Sequence, residues 1–415
     1  MPVLLESDLR FPLPSMRKVR QTFPRPKLDD IGGRVVKEMG RPDVRGKIKP
    51  GAKVAVAVGS RGIKNLAFIV KTVLNQIKAV GGAPFIVTAM GSHGGGTAEG
   101  QREVLTSYGV TEEAMETQIL SSVEVVHLGK TSRGIDVYFD KTALEADVIV
   151  PVNRVKLHTD FVADIQSGLC KMLVIGLGNH IGCSAVHEES FDAFGGTLLE
   201  AAEKILKVAK VGFGVAIVEN AYDETALIEA IPSEKLFERE KELVKMAKAN
   251  MPTLMLPDID VLVVEEIGKN ISGAGYDPNI LGKSYLLNEF VLPVPQIKRM
   301  VLLDVTPESH GNAIGMGVFD VITRRVFDKL DLEQIYANAI AVKCPEDAKI
   351  PIIADTEEEA VRVAIQVARG VDRERLKLVK IKNTLELETI EISEALFGHV
   401  KTNENLAFAS LPFAK

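Results

Sequence analysis

Val54-Ala-Val-Ala-Val58, then Leu66-Ala-Phe-Ile-Val-Lys-Thr-Val-Leu-Asn-Gln-Ile-Lys-Ala-Val80, then Pro84-Phe-Ile-Val-Thr-Ala-Met90 follow one another in the N-terminal part of the chain. The outer segments are short, β-branched runs, and the apolar residues of the middle one recur at helical spacing. That is the pattern of a βαβ unit around parallel strands. It repeats along the chain. Further strands are predicted at Val123–Leu128, Val137–Phe139, Asp147–Val152 and Val211–Val218, with helices at Thr97–Tyr108 and Gly196–Lys210. The charged run Glu234–Lys248 reads as an exposed helix leading to Pro252 and Pro257. Beyond it come strands at Val261–Val264, Met300–Val305 and Ile350–Ile353 and a helix at Glu357–Ala368.

The expected architecture is therefore α/β, with two α/β domains built on largely parallel sheets. Residues 1–250 form the first and 251–415 the second, and the tail after about 395 is read as packing back on the first. In such folds ligands bind beyond the carboxyl ends of the strands and in the cleft between domains, where the active site is expected. Four post-strand segments qualify: Gly59-Ser60-Arg61, Gly91-Ser92-His93, Asn153–Asp160 and Lys269–Asn279.

Composition narrows the function. The 415 residues include 50 basic and 56 acidic side chains, a net charge of −6 that argues against a polybasic nucleic-acid binder. At 46% apolar and 26% charged the chain is an ordinary globular protein. Cys170, Cys183 and Cys344 cannot make a disulfide framework, which favours a cytoplasmic setting. The N-terminus lacks the pattern of a signal peptide, and no membrane span is expected.

Five of the seven histidines lie between positions 93 and 187. His93 and His158 each follow a strand, where an imidazole titrating near neutrality suits acid/base work. Asp160 is near enough in sequence to orient His158. His127 sits in a strand-like run and reads as structural. Lys171, beside an apolar run, is either a strand-edge lysine with its head in solvent or a desolvated nucleophilic amine. His187 follows sixteen residues later and is a candidate metal ligand, with His180 as a competitor. Gly176-Leu-Gly178-Asn-His-Ile-Gly182 loosely mimics a dinucleotide-binding turn, with its last glycine one place late.

Taken together, these residues resemble the nickel-dependent lactate racemase family. The resemblance rests on Ser60-Arg61, Ser92-His93, His158, the run Ser167-Gly-Leu-Cys-Lys171, and His187. It continues in Lys269–Asn279 and Ser309-His-Gly-Asn-Ala-Ile-Gly315. It implies a nickel-pincer nucleotide, a pyridinium thioamide/thiocarboxylate mononucleotide, covalently attached to Lys171. His187 would be the nickel ligand and Ser167 a cofactor contact. His93 and His158 would be the catalytic acid/base pair, and Arg61 and Lys269 the substrate contacts. The implied reaction is racemisation or epimerisation of a 2-hydroxy acid, with the α-hydride passing to the cofactor and back on either face. Cofactor-synthesis proteins are the implied maturation partners, and a homo-oligomer stays open.

The chain has Val58 where the family has an acid before the arginine, and Leu169 where it has a second glycine. A 2-hydroxy acid other than lactate is therefore expected. Two other readings remain on the residues alone: an NAD(P)-dependent dehydrogenase using the Gly176–Gly182 turn, and a non-catalytic protein that binds a small acid through Arg61.

Overall fold

The computed structural model describes Leu4, Asp8, residues 11–59 and residues 62–409. It divides into two compact units, Pro24–Met251 and a second made of the residues up to Phe23 with those from Pro252 onward. The first strand, β1 (Met16–Gln21), thus belongs with the C-terminal half of the chain.

In the unit Pro24–Met251 the predicted βαβ start is present as β2 (Lys53–Val58), α1 (Leu66–Ala79) and β3 (Ala83–Thr88). Strand β2 pairs in parallel with β3 on one side and with a later strand on the other. It is covered on both faces, so Val54 to Val58 are all buried. Ile69, Val70, Val73, Leu74 and Ile77 line one side of α1 and pack into the same core as Val54, Val56 and Val58. Helix α2 (Ala98–Ser107) starts at Thr97, whose side chain accepts from the Gly100 N–H.

The remaining strands of this unit are β4 (Ile119–Leu120), β5 (Val125–Lys130), β6 (Asp136–Asp140), β7 (Val148–Arg154), β8 (Phe213–Glu219) and β9 (Thr225–Pro232). Six of this unit's eight strands form a sheet in the order β4-β3-β2-β7-β8-β9, parallel except for β9, while β5 and β6 make a separate antiparallel ribbon.

Between β7 and β8 lie α3 (Leu169–Gly176) and α4 (Asn179–Val186), bent from one another by 108°, and then α5 (Phe191–Val208). Helix α3 passes from an α-turn at Leu169–Lys171 into a π-turn at Met172–Gly176, a local widening often found at functional sites. Helix α6 (Leu236–Ala249), expected to be exposed, buries Leu236, Glu240, Leu243, Val244 and Ala247 along one face. No single helix among the described residues is long and apolar enough to cross a membrane.

The second unit is an eight-stranded sheet. Its strands are β10 (Asp258–Ile267), β11 (Gln296–Val305), β12 (Val321–Thr323), β13 (Ile352–Ala354), β14 (Leu378–Ile381), β15 (Thr389–Ser393) and β16 (Leu406–Phe408), with β1. The order is β13-β12-β11-β10-β14-β15-β1-β16, parallel through β14 and antiparallel beyond it.

The expected assignment of residues 1–250 to one domain therefore fails at its start. The tail does meet a segment from the first 250 residues, but that segment is β1, which completes the second sheet. Gln21, fully buried, ties β1 in place: its amide donates to Leu387 O (2.8 Å) and Thr253 O (3.2 Å), and its oxygen accepts from Met255 N–H (2.9 Å).

Replacing Gln21 with Ala leaves these backbone groups unsatisfied. It should destabilise the second unit by about 2 kcal/mol. Domain-resolved hydrogen exchange should show faster exchange in β1, β15 and β16, with the six-stranded sheet unchanged.

Candidate functional site

The carboxyl ends of β2, β3 and β7 all meet helix α3. Asn153, near the end of β7, donates from Nδ2 to Gly168 O (2.8 Å), just ahead of the helix. Gly59, after β2, lies so close to the middle of α3 that a Cβ there would reach Met172 Cε at 3.0 Å. Gly91, after β3, donates its N–H to Gly176 O (3.1 Å) at the far end. Three strand ends thus hold one short helix at its start, middle and finish, and Lys171 lies on that helix.

A buried carboxyl group completes the mounting. Glu240 of α6 is 0% exposed, and its Oε2 accepts from the Cys170 N–H (3.0 Å), with the Leu169 N–H also turned to it. These are orphan donors of a helix start. The other oxygen, Oε1, fills the space beside Gly168, where a Cβ would approach to 2.2 Å, so only glycine allows this approach. Burial pushes the Glu240 carboxyl up to about 7, against the pull of its hydrogen bonds. The helical spacing of Leu236, Glu240, Leu243 and Val244 was the available signal that Glu240 faces inward.

The loop between β7 and α3 is pinned by paired backbone bonds between Lys156 and Ser167 (2.8 and 3.2 Å). Inside it, the His158 N–H donates to Gln166 Oε1 (2.8 Å), and the Asp160 N–H donates to His158 Nδ1 (3.1 Å). Asp160 orients His158 as its sequence position suggested, chiefly through its backbone N–H, its carboxylate lying 4.0 Å from Nδ1. His158 Nε2 is hydrogen-bonded to Lys171 Nζ. The rings of His158 and Phe161 (4.4 Å), Phe161 and Phe194 (4.8 Å), and Phe194 and His187 (5.1 Å) form a continuous aromatic row with a histidine at each end.

His187 ends α4. Its Nδ1 lies 2.7 Å from Cys183 O and 3.6 Å from Cys183 Sγ. An Nδ1–H donated to that carbonyl leaves the Nε2 lone pair for a metal, the usual arrangement of a ligating histidine. Burial opposes ionisation of both partners, but their mutual interaction outweighs it, lowering the Cys183 thiol and raising His187. Lys171 lies near both. Cys183 also reaches Ser92 Oγ (3.8 Å), and His180 packs against Gly96, so the loop carrying His93 is seated on α4.

The other residues sort as follows. Burial, reinforced by the Glu240 charge, holds the Cys170 thiol protonated, and burial pushes Cys344 up to about 11. His127 pairs with Asp136 (2.7 Å) on the β5–β6 ribbon, as a structural histidine would. Arg61 and Ser60 lie outside the described residues. Lys269 belongs to the other unit, where Nζ donates to Gly273 O (2.7 Å) and Asn338 Oδ1 (2.6 Å) and its N–H donates to Ser309 Oγ (2.8 Å). The Gly176–Gly182 turn joins two helices, whereas a dinucleotide-binding turn must leave a strand, so the structural basis for that reading is gone. Among the described residues no three His, Cys, Asp or Glu side chains converge as a metal site.

Residues 27–194, which carry these candidate site residues except Glu240 and Lys269, match the family model described as the lactate racemase N-terminal domain. The fold is also similar to that of the lactate racemase apoprotein from Thermoanaerobacterium thermosaccharolyticum, with a TM-score of 0.51 at 13% identity, over 85% of this chain and 91% of that one. The match over residues 27–194 and the likeness in fold together support a relationship to the lactate racemase family. No curated protein matches it in sequence.

The Glu240 carboxyl titrates near 7 when folded against an ordinary 4.5, so its contribution is full in acid and is lost as pH rises through about 7. Between pH 5 and 9 the wild type should lose stability relative to Glu240→Gln by up to about 3 kcal/mol. Melting curves of the two proteins across that range test this; parallel curves would refute it.

Proposed function

We propose that this protein is a racemase or epimerase of a 2-hydroxy acid that works with a nickel-pincer nucleotide tethered to Lys171. The observation that carries the reading is the nearness of Lys171 on α3 to His187 at the end of α4, whose Nδ1 is engaged by Cys183 O. A lone histidine ligand is poor for binding a free ion, but it suits a metal whose remaining donors come from an organic group. The residues present therefore fit the cofactor. When bound, it would supply the acceptor and donor of the α-hydride.

The chain's own residues would do the rest. His158 and His93, each on a loop after a parallel strand, would take and return the hydroxyl proton. Arg61 would hold the substrate carboxylate through two parallel hydrogen bonds, and Lys269 would add a second cationic contact. Ser167, pinned to Lys156 ahead of the helix, would contact the cofactor. Loading would require cofactor-synthesis proteins, and the departures at Val58 and Leu169 favour a 2-hydroxy acid other than lactate.

Co-expression with the cofactor-synthesis proteins and nickel should raise the intact mass by several hundred daltons. Lys171→Ala should abolish the increase, and an undiminished adduct in that variant would overturn the assignment. His187→Ala should keep the organic adduct while losing nickel, as read by native mass spectrometry and metal analysis. Chiral chromatography over a panel of 2-hydroxy acids tests the reaction: matured wild type should interconvert the enantiomers of at least one, and His158→Ala should slow this by about 100-fold or more.

A further inference from the structure

The hydrogen bonds around His158 dictate where its protons sit. The Asp160 N–H can only donate, so His158 Nδ1 must keep its lone pair. The proton of the neutral ring then lies on Nε2, the atom that meets Lys171 Nζ. For that contact to be a hydrogen bond, Nζ must accept. An ammonium group has three N–H bonds and no lone pair, so only a neutral amine can do so. The alternatives, an imidazolium or an Nδ1–H tautomer, would press an N–H against the N–H of Asp160. Among the described residues, the charged and titratable groups near the pair include the Asp160 carboxylate, 4.0 Å from Nδ1, with Cys183 and His187 beyond Lys171.

We infer that His158 holds Lys171 as a free-base amine in the unloaded protein, and so makes it selectively reactive toward acyl and thioacyl carbon. In that reaction the Nζ lone pair forms a C–N bond, the bond from carbon to the leaving group breaks with its electron pair, and a proton from Nζ goes to the leaving group. The products are a Lys171 amide or thioamide and the protonated leaving group. An amide nitrogen has no basic lone pair, so acylation ends the hydrogen bond from His158 Nε2. His158 is thus a positioning residue while the protein is loaded. Its later part in turnover rests on the function proposed above; the state of the amine does not.

The test uses unloaded full-length protein and trace acylation by N-hydroxysuccinimidyl acetate, with the rate at each lysine read by peptide mass spectrometry. The rate at about pH 7.5 divided by that at about pH 10.5 cancels accessibility, and for an ordinary lysine the ratio is roughly 1/400. At Lys171 it should be at least about tenfold higher than at exposed lysines such as Lys207. His158→Phe, which has no N–H to donate, should return Lys171 to the ordinary ratio. His158→Gln, whose amide N–H can still reach Nζ, should retain part of the difference. An ordinary ratio at Lys171 in the wild type overturns the inference without recourse to any variant. An elevated ratio that survives His158→Phe in a folded protein overturns it equally. Neither nickel nor cofactor enters the assay, so its outcome is separate from that of the adduct measurement.

Discussion

The carboxyl group of Glu240, sealed beneath the backbone of Leu169 and Cys170, is the constraint around which the site is arranged. A helix start leaves N–H groups without partners, and here a side chain from a distant helix supplies the acceptor. Gly168 is the reciprocal condition, since any side chain there would occupy the place of Oε1. With its start held by Glu240 and Asn153 and its end by Gly91, the short helix has little freedom to rotate. Lys171 is one residue beyond the capped amide, so the cap governs its direction.

From that fixed point the other groups follow by contact. Lys171 meets His158, His158 stacks on Phe161, and the aromatic row runs through Phe194 to His187. Both rings have one nitrogen committed to the main chain: His158 Nδ1 accepts from an N–H, and His187 Nδ1 faces a carbonyl. The two histidines therefore present opposite characters at their remaining nitrogens, a proton donor in one and a lone pair in the other. Such a division suits a site in which one imidazole handles protons and the other holds a metal.

Much of this arrangement was legible in the sequence. The β-branched runs and helical spacings located β2, α1, β3 and α2 closely, because elements buried by local pairing keep their periodicity. His93 and His158 stood out because polar residues after parallel strands are where such folds bind ligands, Lys171 because it borders an apolar run, and His187 as an imidazole sixteen residues beyond it. Helix α3 did not, since an apolar run bounded by Gly168 and Gly176 fits a strand as well as a helix. Glu240 was hidden in a run of Glu and Lys that resembles a solvated surface. Neighbours separate Cys170 from Cys183, Glu240 beside the first and His187 beside the second, and those neighbours are a property of the packed chain.

The sequence by itself determined the α/β class, the parallel strands and the residue types available for chemistry, all of which depend on patterns within a few turns or one strand. Tertiary structure decided the rest. It assigned β1 to the sheet built from the C-terminal half, because strand pairing joins residues hundreds of positions apart. It also chose the tautomer of His158 and the partner of Lys171, because these depend on which N–H and which lone pair are brought within hydrogen-bonding distance when the loops close.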